Sequence, residues 1–249
     1  MQTPTDSLRD LLSPVDAVFF DFDGPICDVF RGLPAPQVAS ELADIIALYA
    51  PALASRARST DDPMEVHRLS QEGGESLLRV VEAALTSAEV RAVATAGAPV
   101  DGAVQALHAA RDSKRRVAVV SNNSADCVRK FLAIHDVLSL VDDIVGRPAL
   151  RPDLMKPSAH PLLVAAAALG AAPESAVLIG DSTTDVEAAR AAGTRIIGYA
   201  NKPQKETTLA GADVVVLDMR VIAEGLTAIT ASACTTSAPH AADNPGKRR

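Results

Sequence analysis

The sequence has few of the features that mark secreted, metal-cluster or membrane proteins. Its three cysteines lie far apart and form no Cys-x-x-Cys pair, which excludes a disulfide scaffold and a cysteine zinc site. No apolar stretch approaches the ~18 residues that indicate a membrane span. Residues 1–10 contain no basic segment followed by an apolar one, so we expect no signal peptide. These absences predict a soluble, cytoplasmic protein.

Positive charge is also in short supply, because 24 Lys and Arg residues stand against 31 Asp and Glu residues. The formal net charge of −7 opposes unspecific binding to nucleic acid or to anionic lipid, so neither is an expected partner. The sequence also lacks a GxSxG motif, a Walker-type loop and a GxGxxG motif. Serine hydrolases, P-loop enzymes and dinucleotide-binding proteins are therefore disfavoured.

Short apolar runs alternate with longer helical stretches through most of the 249 residues. Six of these runs predict strands, at residues 15–20, 116–120, 143–146, 176–179, 194–199 and 213–217. Nearly continuous apolar strands are typical of a parallel sheet that is covered on both faces. The alternation therefore predicts an α/β fold with a doubly wound parallel sheet.

One long region interrupts this alternation directly after the first strand. It contains no strand pattern, and its apolar residues recur at helical spacing, as in Val38, Leu42, Ile45, Ile46 and Tyr49 and again in Leu77, Leu78, Val81, Leu85 and Ala88. We predict an α-helical domain at residues 31–97, inserted into a core domain formed by residues 1–30 and 98–231. Residues 232–249 are polar and aperiodic, and we expect them to be a disordered tail.

Polar residues follow the predicted strands at the edge where an open parallel sheet binds its ligands. Asp21 and Asp23 end the first strand, and on an extended chain they point to the same side. Two neighbouring carboxylates repel each other unless a cation or a proton lies between them. An acidic turn before Gly24 is the alternative interpretation.

Two further polar clusters precede helices. Residues 121–124, Ser-Asn-Asn-Ser, could form an anion site at a helix N-terminus, or Ser124 could simply be the N-cap. Lys156 is one of only six lysines and lies in a loop, where a lone lysine is usually a solvated charge.

The last cluster follows the fourth strand at residues 180–185, Gly-Asp-Ser-Thr-Thr-Asp. Thr184 and Glu187 fit a capping box, and Asp185 would then lie in the first helical turn, where the dipole favours it. Asp181 has no such explanation, and a buried carboxylate there would need a partner. Together the clusters combine carboxylates for a hard cation with a lysine and a hydroxyl for a phosphoryl group.

The four clusters resemble the sequence motifs of the haloacid dehalogenase superfamily, in the branch with a helical (C1-type) cap after the first motif. The family's DxDG motif matches residues 21–24, and its GDSxxD motif matches residues 180–185. Ser121 ends an apolar strand, and Lys156 precedes a proline, as in the second and third motifs. The resemblance covers roughly residues 15–217 and implies a Rossmann-like core.

The sequence departs from the family pattern at Pro25, where Thr or Val is usual. Proline has no backbone N–H, which leaves the detail of the turn beside the phosphate site open.

The resemblance also implies a Mg²⁺-dependent phosphatase that hydrolyses a small phosphorylated metabolite through an aspartyl-phosphate intermediate. Asp21 would be the nucleophile, and Asp23 would act as general acid and then as general base. Asp21, the backbone carbonyl of Asp23, and Asp181 would hold Mg²⁺, and Asp185 would support them nearby.

Ser121, Asn122 and Lys156 would bind the phosphoryl oxygens in such an enzyme. A sugar-phosphate mutase with the same motifs is the nearest alternative, and a non-catalytic binding protein on the same scaffold is a further one. Dehalogenase chemistry is disfavoured because Asp23 is present, and phosphonate hydrolysis because residues 31–97 contain no lysine.

The leaving group would be selected mainly by the cap. Arg31, Arg56, Arg58 and His67 lie there, but arginines on a helical domain are mostly solvated and a lone histidine near a helix start is mostly at the surface. We therefore assign no role to these four residues, and the sequence predicts neither their roles nor the substrate nor the oligomeric state.

Overall fold

The structure, a computed structural model, describes residues 4–236. The strands are β1 Ala17–Phe20, β2 Arg116–Val120, β3 Asp143–Val145, β4 Ala176–Gly180, β5 Arg195–Tyr199 and β6 Val214–Val216. The helices are α1 Pro4–Leu12, α2 Ala35–Tyr49, α3 Ala54–Ala57, α4 Pro63–Ser70, α5 Glu75–Val93, α6 Ala103–Asp112, α7 Ala125–Ile134, α8 His160–Leu169, α9 Thr183–Ala192, α10 Lys205–Thr208 and α11 Met219–Thr236.

The six strands form one parallel sheet in the order β3-β2-β1-β4-β5-β6. Alternate residues of β1 enter apolar cores on opposite faces, with Val18 and Phe20 on one face and Ala17 and Phe19 on the other. The predicted doubly wound α/β fold is confirmed. Because the chain leaves β1 first toward β2 and later toward β4, the strand order reverses at β1, where such sheets open a binding crevice.

Helices α2 to α5 form the predicted helical insertion between β1 and β2, with an apolar cluster of their own. Val38, Leu42 and Ile46 of the predicted α2 stripe are buried, but Tyr49 is exposed at the helix end. The C-terminal part of α5 packs with the sheet core, so the change of packing partners falls inside this continuous helix and not at residue 97.

The last helix also differs from the prediction. We placed the start of a disordered tail at residue 232, whereas α11 continues to Thr236. No glycine or proline lies between residues 226 and 238, so nothing in the local sequence stops the helix. The rest of the predicted tail lies outside the described residues. Among the helices of residues 4–236, none has the length and apolar content needed to cross a bilayer.

The sequence analysis missed α1, which packs against the sheet core through the fully buried Leu8 and Leu12. Arg115 fixes the end of this helix, because its guanidinium donates hydrogen bonds to the carbonyls of Leu12 and Val15, both at 2.9 Å. These contacts make α1 part of the core, although it precedes the first strand.

We therefore expect Leu8→Ala to lower the free energy of unfolding by about 2–5 kcal/mol, because it opens a cavity in the core. Leu48→Ala is the matched control, since Leu48 is 76% exposed and should change stability by less than about 0.5 kcal/mol. Urea unfolding of both variants measures the difference. Equal, small effects would show that α1 does not stabilise the fold.

Candidate active site

The carboxyl ends of the central strands bring the sequence-predicted polar residues to one place. Asp21 follows β1, Ser121 follows β2 and Asp181 follows β4, while Lys156 reaches them from the loop before α8. All four side chains are buried. The convergence follows from the parallel sheet, because its carboxyl ends share one edge.

Lys156 lies at the centre of this group and is not a solvated loop lysine. Its Nζ lies 2.8 Å from Oδ1 of Asp21 and 2.5 Å from Oδ1 of Asp185, and it donates to the carbonyl of Val120 at 3.1 Å. Burial lowers the pKa of Lys156, but the carboxylates of Asp185 and Asp21 outweigh it and raise the pKa above its ordinary value. Lys156 is therefore a fixed cation in the site.

Asn122 holds the backbone of Lys156 with both ends of its side chain. Its Oδ1 accepts from the Lys156 N–H at 2.9 Å, and its Nδ2 donates to the Lys156 carbonyl at 3.1 Å. We predicted phosphate binding by Asn122, but the structure uses its side-chain amide to position the lysine. Its backbone N–H and the second hydrogen of its Nδ2 are left for a phosphoryl group.

The loop after β2 is a tight turn into α7. The Oγ of Ser121 accepts from the backbone N–H of Asn123 and donates to its Oδ1, both at 3.1 Å. Ser124 is the N-cap of α7, which was one of the two interpretations of residues 121–124 from the sequence. Its Oγ accepts a hydrogen bond from the N–H of Cys127. One segment thus provides both the helix cap and a buried hydroxyl at the site.

The predicted capping box of α9 is wrong by two residues. The helix begins at Thr183, with Ser182 as N-cap and Asp185 as its capping-box partner, in place of Thr184 and Glu187. Asp185 accepts from the Ser182 hydroxyl at 2.6 Å and is fully buried. Although burial opposes it, Lys156 holds the pKa of Asp185 below its ordinary value.

The two acids of the first motif have different environments. Burial, reinforced by the charge of Asp185, raises the pKa of Asp21 well above its ordinary value, and Lys156 opposes this shift. Burial also raises the pKa of Asp23 to about 6, while a hydrogen bond from the Val29 N–H opposes the rise. Asp23 is therefore able to hold and release a proton near neutral pH.

The turn after the first motif tolerates Pro25. Hydrogen bonds from the Gly24 N–H to the Cys27 carbonyl and from the Cys27 N–H to the Phe22 carbonyl close it, so no turn bond depends on residue 25. Gly24 has a φ of +109°, and a Cβ there would collide with the carboxylate of Asp181.

Asp21, Asp181 and Asp185 can place one carboxylate oxygen each within 4.8 Å of one another. Burial raises the pKa of Asp181, whereas its ion pair with Lys205 opposes the rise. Asn201 also donates to this carboxylate, at 3.2 Å. A cluster of buried carboxylate oxygens fits a hard divalent cation such as Mg²⁺.

A cavity of about 660 Å³ opens over these residues. The sheet edge lines one side, and the helical insertion lines the other with residues 60–65 and Arg68. Arg31, Arg56 and Arg58 do not line this cavity. They form exposed ion pairs, as the sequence predicted for solvated arginines, with Asp28, Glu72 and Asp44 respectively.

We predicted that His67 lies at the surface, but the structure buries it completely. The buried face of α4 includes it because four positions at helical spacing point inward, namely Pro63, Val66, His67 and Ser70. Among the described residues, neither ring nitrogen of His67 has a hydrogen-bond partner, and Glu82 Oε2 lies 3.7 Å from its Nε2. Burial lowers the pKa of His67 to about 3, and the charge of Arg147 adds to this effect.

The sequence analysis also missed Arg68, Lys205, Glu89 and Arg147. Of these four, only Glu89 could have been predicted from the sequence. Its position, four residues after Leu85, places a charged side chain on the apolar face of α5. The importance of the other three depends on contacts with residues distant in the chain.

The chain belongs to the haloacid dehalogenase-like hydrolase family, whose family model matches residues 15–193. It is 36% identical over 89 residues to a phosphoglycolate phosphatase of Aquifex aeolicus, a match that spans 36% of this chain and 41% of that one. It is 27% identical over 188 residues to a phosphoglycolate phosphatase of Xylella fastidiosa, spanning 71% of this chain and 76% of the relative.

Among solved structures, a β-phosphoglucomutase from Clostridium difficile shares the fold with a TM-score of 0.63 and 18% identity, over 89% of this chain and 99% of that one. The chain thus covers less than half the length of the Aquifex aeolicus relative, but nearly all of the mutase fold.

The buried histidine makes stability depend on pH. Because the folded pKa of His67, about 3, lies below the unfolded value of about 6.5, the unfolded chain binds the extra proton as pH falls. We expect His67→Leu to remove ~1.4 kcal/mol of the stability loss between pH 7.5 and 5.5. Urea unfolding at both pH values measures it, with the exposed His108→Leu as control. A wild-type pH dependence in His67→Leu would contradict the assignment.

Proposed function

We propose that this protein is a Mg²⁺-dependent phosphatase that hydrolyses a small phosphomonoester through an aspartyl-phosphate on Asp21. The observation that carries the proposal is the contact of Lys156 with Asp21 in a buried group of carboxylates, beside Asp23. An acidic nucleophile can meet a phosphate dianion only where cations offset their mutual repulsion.

Asp21 is oriented for attack by two donors to the same oxygen. Its Oδ1 accepts from the Phe22 N–H at 2.7 Å and contacts Nζ of Lys156 at 2.8 Å. In the first step a carboxylate oxygen of Asp21 forms the bond to phosphorus, and the bond from phosphorus to the substrate oxygen breaks. Water then attacks phosphorus, which releases inorganic phosphate and restores the carboxylate.

Asp23 moves the proton in both steps. In its protonated form it gives the proton to the leaving alkoxide, and the resulting carboxylate then accepts a proton from the attacking water. A pKa of about 6 makes both forms accessible near neutral pH. The hydrogen bond from the Val29 N–H fixes the position of one of its oxygens.

Asp21, Asp181 and the backbone carbonyl of Asp23 would hold Mg²⁺, and Asp185 would support the site through Lys156. The ion would supply the positive charge that allows a phosphate dianion to approach buried carboxylates. The Nζ of Lys156 and the backbone N–H of Asn122 would bind the phosphoryl oxygens, together with the hydroxyl of Ser121, whose hydrogen would turn from Asn123 Oδ1 to the substrate.

The helical insertion, residues 31–97, would act as a cap that selects the leaving group. Its wall of the cavity, within the described part of the chain, carries carboxylates, among them Asp61 and Glu65, and the cation Arg68. The named relatives support a small phosphorylated metabolite as substrate, with phosphoglycolate the first compound to test. We expect this activity in the cytoplasm.

The first test is phosphate release from a panel of phosphomonoesters that includes phosphoglycolate and sugar phosphates, with Mg²⁺ and with a chelator. Asp21→Asn should lower the rate by about 10³-fold or more, because the nucleophile is lost. Asp16→Asn is the matched control, since Asp16 is exposed and precedes the opposite end of β1.

Phosphate release that persists in Asp21→Asn would refute the nucleophile, and release that persists in chelator would refute the metal requirement. An isomerised sugar phosphate that forms without phosphate release would show the mutase reaction instead.

Asp23→Asn should slow hydrolysis by about 10²–10⁴-fold for alkyl phosphates, whose leaving oxygens need a proton. Aryl phosphates with acidic leaving groups should lose less in the first step, because their aryloxides leave unprotonated. Single-turnover rates across a series of leaving groups measure this difference. An equal loss for every leaving group would exclude Asp23 as the acid.

A further inference from the structure

A buried ion pair joins the helical insertion to the core domain beside loop 121–124 of the candidate site. Arg147, two residues after β3, contacts Glu89 of α5 through two contacts, Nη1 to Oε1 at 2.7 Å and Nη2 to Oε2 at 3.3 Å. The Glu89 side chain is 0% exposed and the Arg147 side chain 1%. Nothing in the proposed chemistry uses either residue directly.

The same pair holds the loop that follows Ser121. Glu89 Oε1 accepts from Nδ2 of Asn123 at 3.2 Å, and its Oε2 accepts from the Ser124 N–H at 3.0 Å. Nη1 of Arg147 donates to the carbonyl of Asn122 at 3.1 Å, and the Arg147 N–H donates to the carbonyl of Asn123 at 2.8 Å. Three consecutive residues of the loop are therefore bonded to this ion pair.

Two short chains of hydrogen bonds lead from the loop to the phosphoryl-binding atoms. Asn123, which Glu89 holds, donates to and accepts from the hydroxyl of Ser121. Asn122, whose carbonyl Arg147 holds, clamps the backbone of Lys156. A shift of the loop would therefore move both groups that would bind the phosphoryl oxygens.

The segment after β3, residues 147–150, also makes polar contacts with α5 before Glu89. Glu82, seven residues before Glu89 and so on the same face of the helix, accepts from the Leu150 N–H at 2.7 Å. Thr86, between them, accepts from Nη2 of Arg147 at 3.0 Å. The segment from Arg147 to Leu150 thus runs along α5 and makes polar contacts at three successive turns.

We propose that Glu89 and Arg147 are positioning residues that fix loop 121–124, so that Ser121 and Lys156 meet the transferred phosphoryl group. This proposal rests on the proposed function and extends it to a residue of the helical insertion. Every substrate carries the same phosphoryl group. Loss of the pair therefore weakens its binding equally for all leaving groups, and the order of preferred substrates stays the same.

The test compares Glu89→Gln, the double variant Glu89→Gln/Arg147→Met and the wild type. Glu89→Gln alone leaves the buried charge of Arg147 without its partner, which can prevent folding. The double variant removes both charges, so it can be tested even where the single variant does not fold. Glu75→Gln is the matched control, because Glu75 pairs with Arg79 at the exposed start of the same helix. Urea unfolding checks that each variant is folded under the assay conditions.

Titration calorimetry with inorganic phosphate in the presence of Mg²⁺ measures binding without turnover. We expect the dissociation constant of phosphate to rise about tenfold or more in the folded double variant. The ratio kcat/KM should fall by one common factor across the series of leaving groups. Hydrogen exchange should become faster at the Ser124 amide, and Glu75→Gln should match the wild type in all three measurements.

A folded double variant with wild-type phosphate affinity and wild-type kcat/KM would overturn the proposal. A loss of kcat/KM that depends on the leaving group would also overturn it, because the pair would then act on substrate selection. If the wild type binds phosphate but hydrolyses no ester, the phosphatase proposal fails, while the calorimetric test of the positioning residues still stands.

Discussion

The rest of the site depends on the repulsion among the buried carboxylates of Asp21, Asp181 and Asp185. Burying a charge costs several kcal/mol of folding free energy unless the charge is paired and hydrogen-bonded. Three neighbouring carboxylates therefore cannot all remain ionised without cations beside them. Lys156 supplies one cation within 2.8 Å of two of them. The local structure serves this contact, because Asn122 fixes the backbone of Lys156 and a capping box fixes Asp185.

The topology explains why these charges meet the helical insertion. The insertion follows β1, whose end carries Asp21, and it returns to the sheet through α5. The first half of α5 packs against the other helices of the insertion, and its last turns pack against the sheet core. One continuous helix therefore belongs to both the insertion and the core domain. Arg68 of the insertion therefore lies across a single cavity from the carboxylates.

What the sequence predicted and what it missed differ in the range of the contacts involved. Asp21, Ser121 and Asp181 each end an apolar strand, and a parallel sheet necessarily collects such ends at one edge. The sequence predicted a capping box of Thr184 with Glu187 for α9, whereas Ser182 and Asp185 form it. The buried contact of Asp185 with Lys156, 29 residues away, favours this arrangement and is not visible in the local sequence. His67 was misjudged for the same reason, since the partner surface that buries α4 lies elsewhere in the chain.

The ion pair of Glu89 and Arg147 makes directional contacts that apolar side chains could not make. Replacing a buried pair with well-packed apolar side chains is often neutral or stabilising, so burial alone gives no reason for it. Apolar contacts are non-directional, however, and cannot fix the orientation of an N–H group or a carbonyl. Residues 122–124 present such groups to the pair, and a directional network holds them where packing alone would leave the loop free to shift.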